Sequence, residues 1–164
     1  MAHGSFSDVL AANEAYVERF EHGALQARAA RGLAVLTCMD SRIEPLAMLG
    51  LAPGDAKILR NAGARVTDDV LRTLVLATYL LGVDRLMVIS HTNCRMVGNE
   101  DDVHAAVREA GGPDTRDLTF LVTDDQQEAV RSDVELVRSF PYLAQLRVGG
   151  FQYDVETGRL TQLC

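Results

Sequence analysis

Gly32-Leu33-Ala34-Val35-Leu36-Thr37-Cys38-Met39-Asp40-Ser41-Arg42 and Arg85-Leu86-Met87-Val88-Ile89-Ser90-His91-Thr92-Asn93-Cys94 share one design. Each opens on an apolar run of buried-strand length and closes on side chains that bind metals. Taken singly, Cys38 and Cys94 read as small buried hydrophobes, and His91 as a core histidine. Together they read differently. His91 and Cys94 are three apart in one loop, so one ion can take both, and Cys38 arrives from a second strand end. Two thiolates and an imidazole are a zinc donor set, and three protein ligands leave a fourth position open, as in catalytic sites. A redox pair is the weaker reading, because the spacing is His-x-x-Cys and not Cys-x-x-Cys.

Working outward, the chain alternates strands and helices. Phe6 to Phe20 has helical spacing of Phe6, Val9, Leu10, Tyr16, Val17 and Phe20, with Ser7 as a candidate N-cap. Its apolar stripe can cover the chain's own sheet or a neighbouring subunit. Strand one is read over Leu33–Thr37, and a short helix over Pro45–Leu49. Strand two covers Ala56–Arg60. A helix capped by Thr67 follows, with Val70, Leu74, Thr78 and Leu81 on one side and Gly82 at its end. Strand three covers Asp84–Ser90, and Asn99 to Asp102 open another helix. Leu118–Val122 is read as strand four. Thr123-Asp124-Asp125-Gln126 matches a capping box ahead of a helix to about Phe140. Leu146–Val155 and Arg159–Leu163 are read as a strand pair joined at Glu156-Thr157-Gly158. This order predicts an α/β fold, a mostly parallel central sheet flanked by helices, with a C-terminal strand pair. In such sheets sites form beyond the strands' carboxyl ends, where the strand order reverses. Cys38 and His91 both follow such ends.

The bulk numbers agree. At 164 residues and 48% apolar, the chain reads as one domain with a real core. Net charge is −7, Lys57 is the only lysine, and no basic stripe forms, which argues against nucleic acid. No apolar stretch approaches the ~20 residues that span a bilayer. The N-terminal residues carry no signal-peptide pattern, so the expected compartment is the cytoplasm. Three cysteines are too few for a disulfide framework. Cys164 reads as a bystander, and His3, His22 and His104 as surface residues.

Asp40 and Arg42 gain a role beside a zinc. Asp40 can accept a hydrogen bond from zinc-bound hydroxide and aim its lone pair at a substrate carbon. Arg42 nearby lowers the Asp40 pKa and keeps it charged. If the chain stays extended, period two points both the same way as Cys38.

The order Cys38-x-Asp40-x-Arg42, then His91-x-x-Cys94, resembles the β-class carbonic anhydrases. Arg60-Asn61-Ala62-Gly63 and Val66-Thr67-Asp68-Asp69 resemble that family's second strand and following helix. Gly150-Phe151-x-Tyr153-Asp154-Val155-x-Thr157-Gly158-x-Leu160 resembles the end of small actinobacterial members. The resemblance implies zinc held by Cys38, His91 and Cys94, with Asp40 and Arg42 as the catalytic dyad. It implies reversible hydration of carbon dioxide to bicarbonate and a proton, and a homodimer or multiple of dimers, with residues 1–31 as an arm on a partner. Hydrolysis of carbon disulfide or carbonyl sulfide on the same scaffold, and a non-catalytic zinc-stabilised module, are the alternatives. Two positions depart from the family. Asn93 stands where Asp is frequent, and Arg95 where Gly is usual. A left-handed backbone at Arg95 would cost on the order of 1 kcal/mol, and an Arg there could attract bicarbonate or crowd the pocket.

Overall fold

A computed structural model describes residues 6–164. The elements in chain order are α1 (Ser7–Val17), β1 (Leu33–Cys38), α2 (Pro45–Met48), β2 (Ala56–Asn61), α3 (Asp68–Leu80) and β3 (Arg85–His91). They are followed by α4 (Glu100–Glu109), α5 (Gln126–Ser139), β4 (Arg147–Tyr153) and β5 (Leu160–Gln162). Single 3-10 turns sit at Ala62–Ala64 and Pro141–Leu143.

The five strands form one sheet in the order β2-β1-β3-β4-β5. The first four are mutually parallel, and β5 returns antiparallel on β4. From β1 the chain winds out to β2, then crosses back to β3 on the other side of β1. The order therefore reverses between β1 and β3, where an open α/β sheet leaves a crevice.

β1 is buried along its whole length, as a central parallel strand covered on both faces must be. Alternation divides its side chains. Ala34 and Leu36 face a core built with Leu86, Val88, the α3 residues Val70, Leu71, Leu74 and Ala77, and the α5 residues Val130, Val134 and Val137. Leu33 and Val35 face the other way with Ile89, against a thinner layer of half-buried side chains that includes Leu49, Leu51, Met87 and Phe151. The buried stripe of α3 thus keeps Val70 and Leu74 of the expected face. It takes Leu71 and Ala77 in place of Thr78 and Leu81.

Caps explain where the helices start. The Thr67 side chain accepts from the Val70 N–H, and Asn99 accepts from Asp102. At α5 the cap is Asp125, which accepts from Gln127 and Glu128. Thr123, the expected cap, instead accepts from the Asp125 N–H. α1 begins at Ser7, with Phe6 in the N-cap position where Ser7 was expected.

The expected fourth strand over 118–122 does not form. Three of its backbone groups are taken by side chains, and the Leu118 N–H by the Thr115 carbonyl. The Phe120 and Val122 N–H groups donate to the Glu100 carboxylate at 2.9 and 3.0 Å, and the Leu121 carbonyl accepts from Arg65 at 2.9 Å. Leu121 lies in the left-handed region (φ 60°), which breaks the extended run. Only an isolated bridge between Val97 and Thr123 remains. The fourth parallel strand is β4, which the sequence placed correctly in the C-terminal pair.

Candidate metal centre

β1 ends on Cys38 and β3 ends on His91, the two strands that flank the reversal of order. The loop after β3 returns Cys94 to the same place. All three side chains are buried, and their ligand atoms lie within 4.8 Å of one another. The two sulfurs are 4.0 Å apart and not disulfide-bonded. Thiolates bound at 2.3 Å to one tetrahedral ion would stand about 3.8 Å apart, so the spacing suits a shared cation.

The imidazole is oriented for the same task. His91 Nδ1 lies 2.8 Å from the Thr92 carbonyl, which can only accept. Nδ1 therefore carries the proton, and Nε2 presents its lone pair. That Nε2 is buried and makes no hydrogen bond among the described residues. A buried acceptor without a partner costs about 1–3 kcal/mol, and a cation between Nε2 and the two sulfurs would satisfy it. The donor chemistry, the spacing and the orphaned nitrogen all fit a bound metal.

The electrostatics agree. The contact with Cys94 holds the Cys38 thiol well below its ordinary range, against the opposing pull of burial. His91 and the backbone at Gly63 and Asp40 add to that hold. The Cys38 sulfur, with burial, pushes Cys94 up. Burial would lower His91, but the Cys38 sulfur and the Thr92 carbonyl outweigh it and raise the imidazole's pKa. Each sulfur thus has a backbone donor at hand, Gly63 for Cys38 and Met96 for Cys94, the latter at 3.5 Å. Gly63 adopts φ 77°, and a Cβ there would stand 3.3 Å from Met96 Cβ. The left-handed φ favours glycine at this position, and the close approach leaves a Cβ little room.

Asp40 and Arg42 do come together, but not by an extended chain. The backbone turns, with the Ile43 N–H donating to the Asp40 carbonyl at 3.1 Å and the Arg42 N–H to Asp40 Oδ1 at 2.9 Å. The guanidinium then grips the same carboxylate in a fork, Nε to Oδ1 at 2.9 Å and NH2 to Oδ2 at 2.7 Å. This side-chain pairing holds the Asp40 carboxyl well below the usual carboxylate range. Asp40 Oδ2 stands 3.9 Å from His91 Nε2, at the edge of the ligand cluster.

Several supports were not legible as functional residues. Arg60 donates to the carbonyls of Cys38 and Asp40, at 3.0 and 2.6 Å, and so fixes the end of β1. Asp133, on α5 and buried, binds Arg65 through both carboxylate oxygens and accepts from the Val66 N–H. This ties α5 to the turn that carries Gly63. A charged pair 68 residues apart in sequence leaves no local pattern to read.

The left-handed backbone that would burden Arg95 does not occur there; the residue in that region is Asn93, at φ 54°. Asn tolerates that region better than most residues. Arg95 carries no such strain. It is exposed and lines a cavity of about 360 Å³ beside Val97, Val103 and Val107. His22 is exposed as expected, and His3 lies outside the described residues. His104 is not a surface residue. It is buried, with Nδ1 2.9 Å from Thr115 Oγ1 and its ring against Phe120.

The family model for carbonic anhydrase matches residues 33–113, a span that holds Cys38, Asp40, Arg42, His91 and Cys94. β-Carbonic anhydrase 1 of Mycobacterium tuberculosis is 33% identical over 160 residues, covering 95% of this chain and 96% of the relative. The chain belongs to the β-carbonic anhydrase family. The crystal structure of a carbonic anhydrase from Streptococcus mutans superposes with a TM-score of 0.91 at 37% identity, covering all of both chains. A carbon disulfide hydrolase of Acidianus is also similar, 34% identical over 155 residues, with 79% of this chain and 76% of that protein covered. The chain is therefore similar to proteins named for two different reactions.

Proposed function

We propose that this chain is a zinc enzyme that hydrates carbon dioxide reversibly to bicarbonate and a proton. The observation that carries the reading is the orphaned Nε2 of His91, buried in one cluster with two sulfurs and beside a carboxylate that Arg42 keeps ionised. Zinc held by Cys38, His91 and Cys94 would supply a Lewis acid that makes water more nucleophilic, at a pH above that of a three-histidine site because two thiolates offset the ion's charge. The chain's own residues do the rest. Asp40 accepts one O–H of the attacking water and turns the oxygen's lone pair toward the carbon. It can do so only as a carboxylate, and Arg42 secures that state. Carbon gains one C–O bond, one C=O π pair moves to oxygen, and the water's proton leaves to solvent.

The similarity to a carbon disulfide hydrolase keeps a second reading, in which the same attack falls on a carbon bonded to sulfur. One experiment separates them: stopped-flow carbon dioxide hydration on zinc-quantified protein across pH, beside sulfide release from carbon disulfide. Hydration well above background, with little sulfide released, is expected. Asp40→Asn should keep its zinc and lose about 10²–10⁴ of the rate. A variant with the wild-type rate would remove Asp40 from the mechanism. Zinc-loaded protein with neither activity would leave a non-catalytic binding module.

We also read the chain as one domain with an N-terminal arm that works as a homodimer or a multiple of dimers. No residue of α1 is buried, and Phe6, Leu10 and Val17 are 79%, 63% and 63% exposed. An apolar helix without cover on its own subunit gains by packing on another. Among the described residues no helix is long and apolar enough to cross a membrane.

A further inference from the structure

Arg42 has two anchors. One is Asp40. The other is the main-chain carbonyl of Asn93, which accepts from the same NH2 group at 3.0 Å. Arg42 is about half exposed (48%), so its position depends on both. The Asn93 carbonyl is in turn placed by a residue in the left-handed region, a conformation of marginal intrinsic stability. What holds it is visible across the sheet end. Asn93 Nδ2 donates to Glu156 Oε1 at 2.9 Å, a contact that spans 63 residues of sequence.

Glu156 sits in a turn that is itself tied to the ligand loop. Asp154 Oδ1 accepts from the Glu156 N–H at 2.8 Å and the Thr157 N–H at 3.3 Å. Thr92 Oγ1 accepts from the Val155 N–H at 3.1 Å, and the Thr92 N–H donates to the Tyr153 carbonyl at 2.9 Å. The β4–β5 turn and the loop from His91 to Cys94 thus form one hydrogen-bonded unit.

We infer that Glu156 is a positioning residue: through Asn93 it sets where Arg42, and with it Asp40, stands at the site. This role rests on the dyad chemistry proposed above. It also explains why an amide suits position 93 in this chain. A carboxylate there would meet Glu156 with no proton to share, and two like charges at that distance repel. The pair is a matched donor and acceptor, so Glu156→Gln should restore what Asn93→Asp destroys.

The experiment uses the zinc-loaded full chain in five forms: wild type, Glu156→Ala, Glu156→Gln, Asn93→Asp, and Asn93→Asp with Glu156→Gln. Zinc per chain, kcat and KM for carbon dioxide hydration, and the Arg42 Nε–H resonance by nitrogen-15 NMR are measured for each. Glu156→Ala should lower kcat about fivefold, with KM and zinc unchanged. Glu156→Gln keeps an acceptor and should recover most of that loss. Asn93→Asp should cost about tenfold or more, and the double variant should return close to Glu156→Gln. The Arg42 resonance should shift and broaden in Glu156→Ala and Asn93→Asp, and recover in the double variant. Strictly additive effects, an unmoved Arg42 signal, or a kcat loss that tracks lost zinc would overturn the role. If the wild type hydrates no carbon dioxide, the proposed reaction fails, and the Arg42 resonance alone decides for or against Glu156.

Discussion

Cys38, His91 and Cys94 are buried, and each is held by partners from its own chain. Phe6, Leu10 and Val17 are among the most exposed large apolar side chains of the molecule, and none of the eleven residues of α1 is buried. Both regions follow rules that a sequence displays openly, apolar strands ending on cysteine and histidine in one case and helical spacing of apolar residues in the other. They differ in where the partner lies. A parallel sheet brings its strand ends together by topology, so the ligand cluster is assembled by the fold that one chain makes alone. A helix with exposed apolar side chains states only that it needs a surface, and this chain's own sheet and helices do not supply it. The metal end should therefore respond to substitutions as a self-contained unit, and α1 as half of an interface.

The largest effect tests the self-contained half. Cys94→Ala removes one of three donors and leaves the Cys38 sulfur without its neighbour. Zinc should fall from about one per chain to near none, and hydration to background, by elemental analysis and stopped flow. α1 lies on the other side of the comparison, so the oligomer measured by light scattering should survive this change. Zinc retained at one per chain would mean that the ion, if present, sits elsewhere.

The next effect tests the incomplete half. Leu10→Glu together with Val17→Glu places charge on two exposed apolar positions of α1. Burying such a side chain contributes about 1.5–3 kcal/mol, so losing two should weaken association about a hundredfold or more. Sedimentation velocity at micromolar concentration should show a monomer that still binds zinc. An unchanged mass would mean that α1 does not hold the assembly together. A wild type that is already monomeric would refute the homodimer.

The same contrast separates what could be read in the sequence from what could not. β1, β2, β3 and the C-terminal pair are legible because buried parallel strands are short apolar runs bounded by turns, and the meeting of Cys38, His91 and Cys94 because those residue types are chemically unusual at strand ends. Leu118–Val122 has the same apolar look and is a loop, since Glu100 and Arg65 claim its backbone from outside the segment. His104 looked like a surface residue on an acidic helix, yet the loop it faces brings Thr115 and Phe120 over it. The pairing of Asp40 with Arg42 was right for a wrong reason, because a turn and not an extended chain sets it. Arg60, Asp133 and Glu156 support the site over long sequence separations. Periodicity and motif spacing are local signals, and such contacts lie outside their reach.

Arg95 stands on the border between the two regions, and the smallest predicted effect belongs there. By sequence it follows Cys94, and by position it is an exposed side chain beside the cavity against α4. Its backbone lies outside the left-handed region, so glycine would relieve no strain. Arg95→Gly should then leave zinc content and kcat within about twofold and lower stability by only about 0.5–1 kcal/mol, the ordinary cost of a more flexible unfolded chain. Arg95→Ala should show the same kinetics with less of that loss, which separates the backbone from the side chain. Two results would break the comparison drawn above. If the midpoint of the pH–rate profile rises in both variants, the guanidinium's charge acts at the metal end, and the ligand loop is not electrostatically closed. If sedimentation shows a weakened oligomer in both, Arg95 reaches a partner, and the loop that holds Cys94 is part of the same interface as α1.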